Sequence, residues 1–159
     1  MATSKATSKN SSATSWLLEV KSTTMKRWAW GSAAVVLAVH IFMGAVVDVG
    51  DTGAAVTTID KLAFPILGLV LASLCLLMLR PRLRANAKGV EVRNFLNPRF
   101  YSWNDIYGLS FPREAKWARL ELPEFEFVPV WAIQSADKEA AVKAMKEFRK
   151  LEDSYMPVD

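Results

Sequence analysis

The stretches that decide the fold are AWGSAAVVLAVHIFMGAVV, from Ala29 to Val47, and LAFPILGLVLASLCLLML, from Leu62 to Leu79. Each is about long enough to cross roughly 30 Å of hydrocarbon at about 1.5 Å per helical residue. Neither carries the polar stripe that a helix on a soluble core presents. They read as two transmembrane helices joined in a hairpin, and whatever activity the chain has belongs to the residues outside it. A cleaved secretory signal fits the first run poorly, because it begins late, exceeds the usual h-region and is followed almost at once by a second span.

Charge orients the hairpin. Lys21, Lys26 and Arg27 precede the first run and Arg80, Arg82, Arg84 and Lys88 follow the second, while the connecting loop holds Asp48, Asp51 and Asp60 with only Lys61. Basic residues next to short spans stay on the cytoplasmic side. The expectation is a multi-pass protein of the cell membrane, both termini cytoplasmic and the Asp-rich loop outside. Trp28 and Trp30 sit where an indole can keep its ring in the interface and its N–H wet, and read as anchors.

The remaining charge follows this partition. Residues 1–27 hold five bases and one acid, residues 28–79 one base and three acids, and residues 80–159 fourteen bases and twelve acids. The net charge of +4 is thus a topology signal plus a basic tail. It argues against a nucleic-acid footprint, and no zinc finger or RNP-like aromatic motif accompanies it. Residues 1–27 form the first segment. Met1 to Ser15 has no large apolar side chain to offset its ordering entropy and is expected to be disordered. Trp16, Leu17, Leu18 and Val20 beside Lys21 and Lys26 suit either a short segment on the anionic inner leaflet or a plain linker.

Within the hairpin of residues 28–79, His40 has no carboxylate, second His or Cys at ligand spacing, so its expected role is a hydrogen bond to the neighbouring helix or another subunit. Cys75, the single cysteine, excludes an intrachain disulfide and packs among leucines. Pro65 is expected in the first turn of the second helix, after an Asp60 cap. Gly31, Ala34, Ala38 and Ala45, with Gly68 and Ala72, are expected to let the helices approach closely.

From Arg80 the period changes. Arg82–Ala87 and Val90–Asn94 alternate polar and apolar residues around Lys88-Gly89, the signature of a hairpin whose turn needs glycine. Asn97-Pro98 turns the chain into Arg99–Trp103, and Ile106–Phe111, Trp117–Leu122 and Phe125–Trp131 follow, the middle pair ending at Pro112 and Pro123. Six short strands of this kind predict a strongly bent antiparallel sheet. Beyond them Ala141, Met145, Phe148 and Leu151 recur at helical spacing behind a Ser135 or Asp137 cap, predicting one amphipathic helix that closes the sheet. Residues 80–159 are therefore an α+β soluble domain.

Strands first and one helix last is the pleckstrin-homology (PH) arrangement. The words Lys88-Gly89-Val90-Glu91-Val92-Arg93-Asn94, Tyr101-Ser102-Trp103-Asn104-Asp105-Ile106-Tyr107-Gly108-Leu109 and Lys116-Trp117-Ala118-Arg119-Leu120 resemble the actinobacterial membrane proteins with a bacterial-type PH domain, the low molecular weight protein antigen 6-like family. The resemblance spans residues 28–133. It implies scaffold roles: Gly89 in a turn, Trp103 in the core, Asp105 accepting backbone N–H bonds at a bend, and Gly108 permitting a bulge or close packing. Inositol-phosphate binding in this fold needs a basic basket in the first strand–strand loop, which here reads as Lys88-Gly89 alone, so a phosphoinositide pocket is not expected.

Catalysis is not expected either. The domain has no His, Cys, Gly-rich phosphate loop or metal-spaced acids, and Glu121, Glu124 and Glu126 read as solvated hairpin charges. No cofactor and no metal are implied. Two function classes remain: a non-catalytic membrane-anchored module that binds a protein partner as an accessory subunit of a larger membrane assembly, and a module that binds anionic headgroups through Arg80, Arg82, Arg84 and Lys88.

Overall fold

The computed structural model describes residues 15–47 and 57–156; the start of the tail, and Asp48 and Asp51 of the interhelical loop, lie outside the described residues. The chain divides into two compact units. One is Thr23–Arg80; the other joins the segment ending at Ser22 to everything from Pro81 onward.

The first unit is a helix pair. Helix α1 spans Thr23–Val46, and α2 spans Thr58–Cys75 and continues as a 3₁₀ turn, Leu76–Leu79. Both are long and apolar enough to cross a membrane. Helix α2 starts one turn earlier than Asp60 alone would place it. Thr57 is the cap, its amide donating to the Asp60 carboxylate at 2.8 Å while the Asp60 amide donates to Thr57 Oγ1 at 3.4 Å, a reciprocal capping box. Pro65 consequently lies inside α2 and not in its first turn. A proline there leaves the carbonyl four residues back without its helical donor. That carbonyl, of Lys61, lies against Gly44 of α1, where an added Cβ would come within 2.7 Å of it and 3.0 Å of the Pro65 ring.

The small-residue seam of α1 is rotated from the expected one. Ala29, Ala33 and Gly44 are buried against α2, whereas Gly31, Ala34, Ala38 and Ala45 are exposed. Gly68 and Ala72 of α2 are buried as expected. His40 packs on Gly68, whose missing side chain makes room for it. Its Nδ1 lies 2.7 Å from the Val36 carbonyl one turn back, so this ring nitrogen bonds within its own helix.

Among the described residues the second unit has seven strands, where sequence pattern gives six. The additional one, β1, is Leu18–Val20, and it replaces the expected interfacial segment or linker. It is followed by β2 (Arg82–Asn86), β3 (Gly89–Arg93), β4 (Pro98–Ser102), β5 (Gly108–Ser110), β6 (Trp117–Glu121) and β7 (Phe127–Gln134). These make two antiparallel sheets, β1-β2-β3-β4 and β5-β6-β7, in place of one bent sheet. Val20 faces Leu83 and Leu18 faces Ala85, so the whole helix pair is the connection between β1 and β2. The first strand–strand loop is therefore this insertion, and the second is the Ala87-Lys88 turn; Gly89, expected in that turn, is instead the first residue of β3, paired with Asn86 and not at positive φ.

The closing helix α3, Glu139–Tyr155, packs on β5, β1 and β7. It has no side-chain cap: Lys138 occupies the cap position at φ 48°, and Ser135–Asp137 form a separate 3₁₀ turn. Phe148 from α3, Leu83 and Val90 from the first sheet, and Leu120, Val130 and Ile133 from the second are fully buried in one core. The Asn94 side chain ties the sheets together, donating to the Pro129 carbonyl at 2.8 Å and accepting from the Trp131 amide at 3.3 Å. It thereby satisfies backbone groups that β7 would otherwise leave unpaired.

Candidate functional site

Of the four bases expected to meet headgroups, the three in the second unit do not form one patch. Arg82 and Arg84 share a face of β2, and each has a carboxylate on a flanking strand: Arg82 pairs with Glu91 at 3.2 Å and Arg84 with Glu19 at 2.8 Å. Arg84 also lies over the Trp16 ring, 5.6 Å from its centre. Lys88 is at the far end of the β2–β3 hairpin, its amide bonded to Asn86 Oδ1, and Arg80 belongs to the helical unit. The strand register thus places opposite charges side by side, and sequence spacing alone does not reveal those partners.

The scaffold residues fare unevenly. Gly89 backs directly onto the Tyr101 carbonyl, with no room for a Cβ. Trp103 is 3% exposed, donates through Nε1 to the Asn86 carbonyl at 2.9 Å and packs on Phe148 and Tyr155 of α3. Gly108 adopts φ +129°, a region that side chains avoid, and a Cβ there would lie 2.8 Å from Glu152. Asp105 departs from expectation: it is exposed on a 3₁₀ turn and makes no hydrogen bond among the described residues. Two other side chains perform the work assigned to it. Asn86 Oδ1 accepts the Lys88 and Gly89 amides, and a Glu152 oxygen accepts the Leu109 amide at 2.6 Å.

The acidic series does not converge. Glu121 accepts from Ser110 across the β5–β6 pair, and Glu124 and Glu126 are exposed at the β6–β7 turn. Among the described residues no group of His, Cys, Asp and Glu is placed to hold a metal.

What the domain does present is a groove of about 670 Å³ beside α3. Its apolar wall is Phe111, Ala141, Val142 and Met145, and its rim is Lys138, Lys146 and Arg149. Val142 is 54% exposed in it. Sequence periodicity placed Ala141 and Met145 on the inward face and missed the groove, because its other wall, Phe111, comes from the residue just after β5.

Comparison with known proteins fits this architecture. The family described as bacterial PH domain matches residues 80–151. Uncharacterized proteins of Mycobacterium bovis and Mycobacterium tuberculosis are 42% identical to the chain over 130 residues, 82% of this chain and 84% of theirs. The chain belongs to one family with these mycobacterial proteins, and its residues 80–151 are a bacterial PH domain. The likeness to the mycobacterial proteins is too long to be confined to the PH domain and extends into the residues before it. No solved structure matches the chain significantly.

Two carboxylates of the PH domain titrate away from their ordinary range, in opposite directions. Burial raises Glu152, against the bond from Leu109 and the charge of Arg149. Lys21, then Arg84, hold Glu19 below the usual range. A raised carboxyl binds its proton more tightly folded than unfolded, so Glu152 costs stability as pH rises from about 4.5 through its folded value. Glu19 does the reverse, its contribution being present above about 4.5 and lost as pH falls through its lowered folded value. Melting curves from acid to neutral pH should show Glu152→Gln gaining on the wild type as pH rises, and Glu19→Gln losing ground over the same change.

Proposed function

We propose that this chain is a non-catalytic, membrane-anchored PH module whose cytoplasmic domain binds a protein partner as an accessory subunit of a larger membrane assembly. The two long apolar helices, the bases outside them and the exposed indoles of Trp28 and Trp30 support anchoring in the cell membrane with both termini inside. The observation that carries the partner is the groove beside α3. Its apolar wall with three bases on the rim suits a segment that combines apolar and acidic side chains, an amphipathic helix or an extended strand. The headgroup reading is the weaker one, since Arg82 and Arg84 are largely covered and held by carboxylates at 3.2 and 2.8 Å, whereas Arg149, 4.0 Å from Glu152, stays exposed.

A photo-crosslinking residue at Val142 of the full chain in cells should give one discrete protein adduct, and the same probe at Phe100 on β4 should not. Reversing Lys146 and Arg149 to Glu should weaken the adduct about tenfold, equivalent to about 1.4 kcal/mol. An adduct from Phe100 and none from Val142 would place the partner elsewhere. In the same cells an impermeant thiol reagent should label Thr52→Cys and leave Ser154→Cys untouched; the opposite pattern would overturn the cytoplasmic domain.

A further inference from the structure

Two apolar tips of the PH domain have nothing packed on them among the described residues. Leu96, 73% exposed, ends the β3–β4 loop, and Phe125, fully exposed at φ 63°, ends the β6–β7 turn. A phenylalanine held in the left-handed region is strained, and no contact among the described residues compensates for it. The Leu96 loop is held firmly from behind. Phe95 stands edge-on to Trp131 with ring centres 4.4 Å apart, and Asn94 is bonded to Pro129 and Trp131. A cleft of about 490 Å³ is lined by Asn94, Phe95 and Leu96 of the one loop and by Phe127, Val128 and Pro129 at the start of β7, two residues after Phe125, which puts both tips at one end of the domain.

The strand register says which end this is. Val20 faces Leu83, Arg82 faces Arg93 and Arg93 faces Pro98. The 94–97 loop therefore projects from the edge where the chain leaves the domain at Ser22 and returns at Pro81.

We propose that this end docks on the interface of the bilayer in which the chain is anchored, with Leu96 and Phe125 entering the boundary between headgroups and acyl chains. This rests on the membrane reading of the two helices. A bilayer suits the tips better than a protein does: they are convex and separate, whereas a protein interface needs one contiguous complementary patch. The charges around them balance. Arg93 and Arg99 flank Leu96, and Glu124 and Glu126 flank Phe125; Arg82 and Lys21 are paired with Glu91 and Glu19, and Arg119 lies over the Phe127 ring at 4.3 Å. Insertion is thus apolar and does not depend on anionic lipid. Weak apolar insertion suffices because the anchor keeps the domain at a high effective concentration beside the surface.

The test uses the full chain with Cys75→Ser, reconstituted in phosphatidylcholine vesicles with and without phosphatidylglycerol. Nitroxides at Leu96→Cys and Phe125→Cys are compared with Val35→Cys, exposed on α1, and Ser154→Cys, exposed on α3. The ratio of oxygen to nickel-chelate collisions should be severalfold higher at both tips than at Ser154 in either vesicle, and unchanged by about 0.5 M salt, where exposed charges are screened. Tips as wet as Ser154 while Val35 reads as lipid-exposed would overturn the docking and leave the anchor standing. A wet Val35 would overturn the anchor itself. Protection confined to anionic vesicles would overturn apolar insertion in favour of headgroup attraction.

Discussion

Trp103→Ala is expected to unfold the PH domain. The indole is almost fully buried, fills the space between the 3₁₀ turn that carries it and Phe148 and Tyr155 of α3, and donates to the Asn86 carbonyl. Truncating such a side chain costs about 3–5 kcal/mol in lost apolar burial and cavity together, and the orphaned Asn86 carbonyl adds about 1–3 kcal/mol more. The total is comparable with the whole stability of a small domain, about 5–15 kcal/mol. Asp105→Asn, two residues away, is expected to leave the melting transition within about 0.5 kcal/mol of the wild type, because the Asp105 carboxylate accepts no bond among the described residues. Asn86→Ala is expected to lose about 1–3 kcal/mol, since it strips the Lys88 and Gly89 amides of their acceptor. Thermal unfolding of the three variants checks the ranking; an Asp105 variant less stable than the Asn86 variant would refute it.

Residues 80–159, cut away as a separate polypeptide, are expected to lack a native melting transition. That cut removes β1. Leu18 is a buried member of the core, worth about 1.5–3 kcal/mol in apolar burial, and without β1 the backbone of β2 becomes an open edge that invites association with other chains. Circular dichroism and size exclusion on this fragment should show a broad or absent transition and soluble aggregates. A sharp transition from a monomer would show that β1 is dispensable.

The strands β2 to β7 and helix α3 were legible in the sequence because each carries its period within its own residues: Arg82 to Asn86 and Gly89 to Arg93 alternate, and Ala141, Met145 and Phe148 recur at helical spacing. What was not legible depends on residues distant in the chain. Leu18-Glu19-Val20 is too short to declare a strand, and its partner β2 lies beyond two apolar helices; it also lies outside the stretch matched by the family. Arg82 and Arg84 resembled free headgroup ligands until the register set Glu91 and Glu19 beside them. Asp105 had the chemistry of a bend-forming acceptor, but Asn86 and Glu152 are the side chains that the fold brings to unpaired amides. Pro65 misled because an N-terminal proline and an interior one look alike until the Thr57 cap fixes where α2 begins.

The central claim is that one PH domain is completed across the inserted helix pair. Its most direct test is a soluble chain in which residues 15–22 are joined to residues 81–156 by a Gly/Ser linker. Val20 and Leu83 are neighbours on adjacent strands, about 5 Å apart, so a short linker suffices. The account predicts a monomer with a single cooperative unfolding transition, in which the Leu18 and Val20 amides resist hydrogen exchange as well as those of β2. A fusion no more stable than residues 80–159 alone, with those amides exchanging freely, would contradict it.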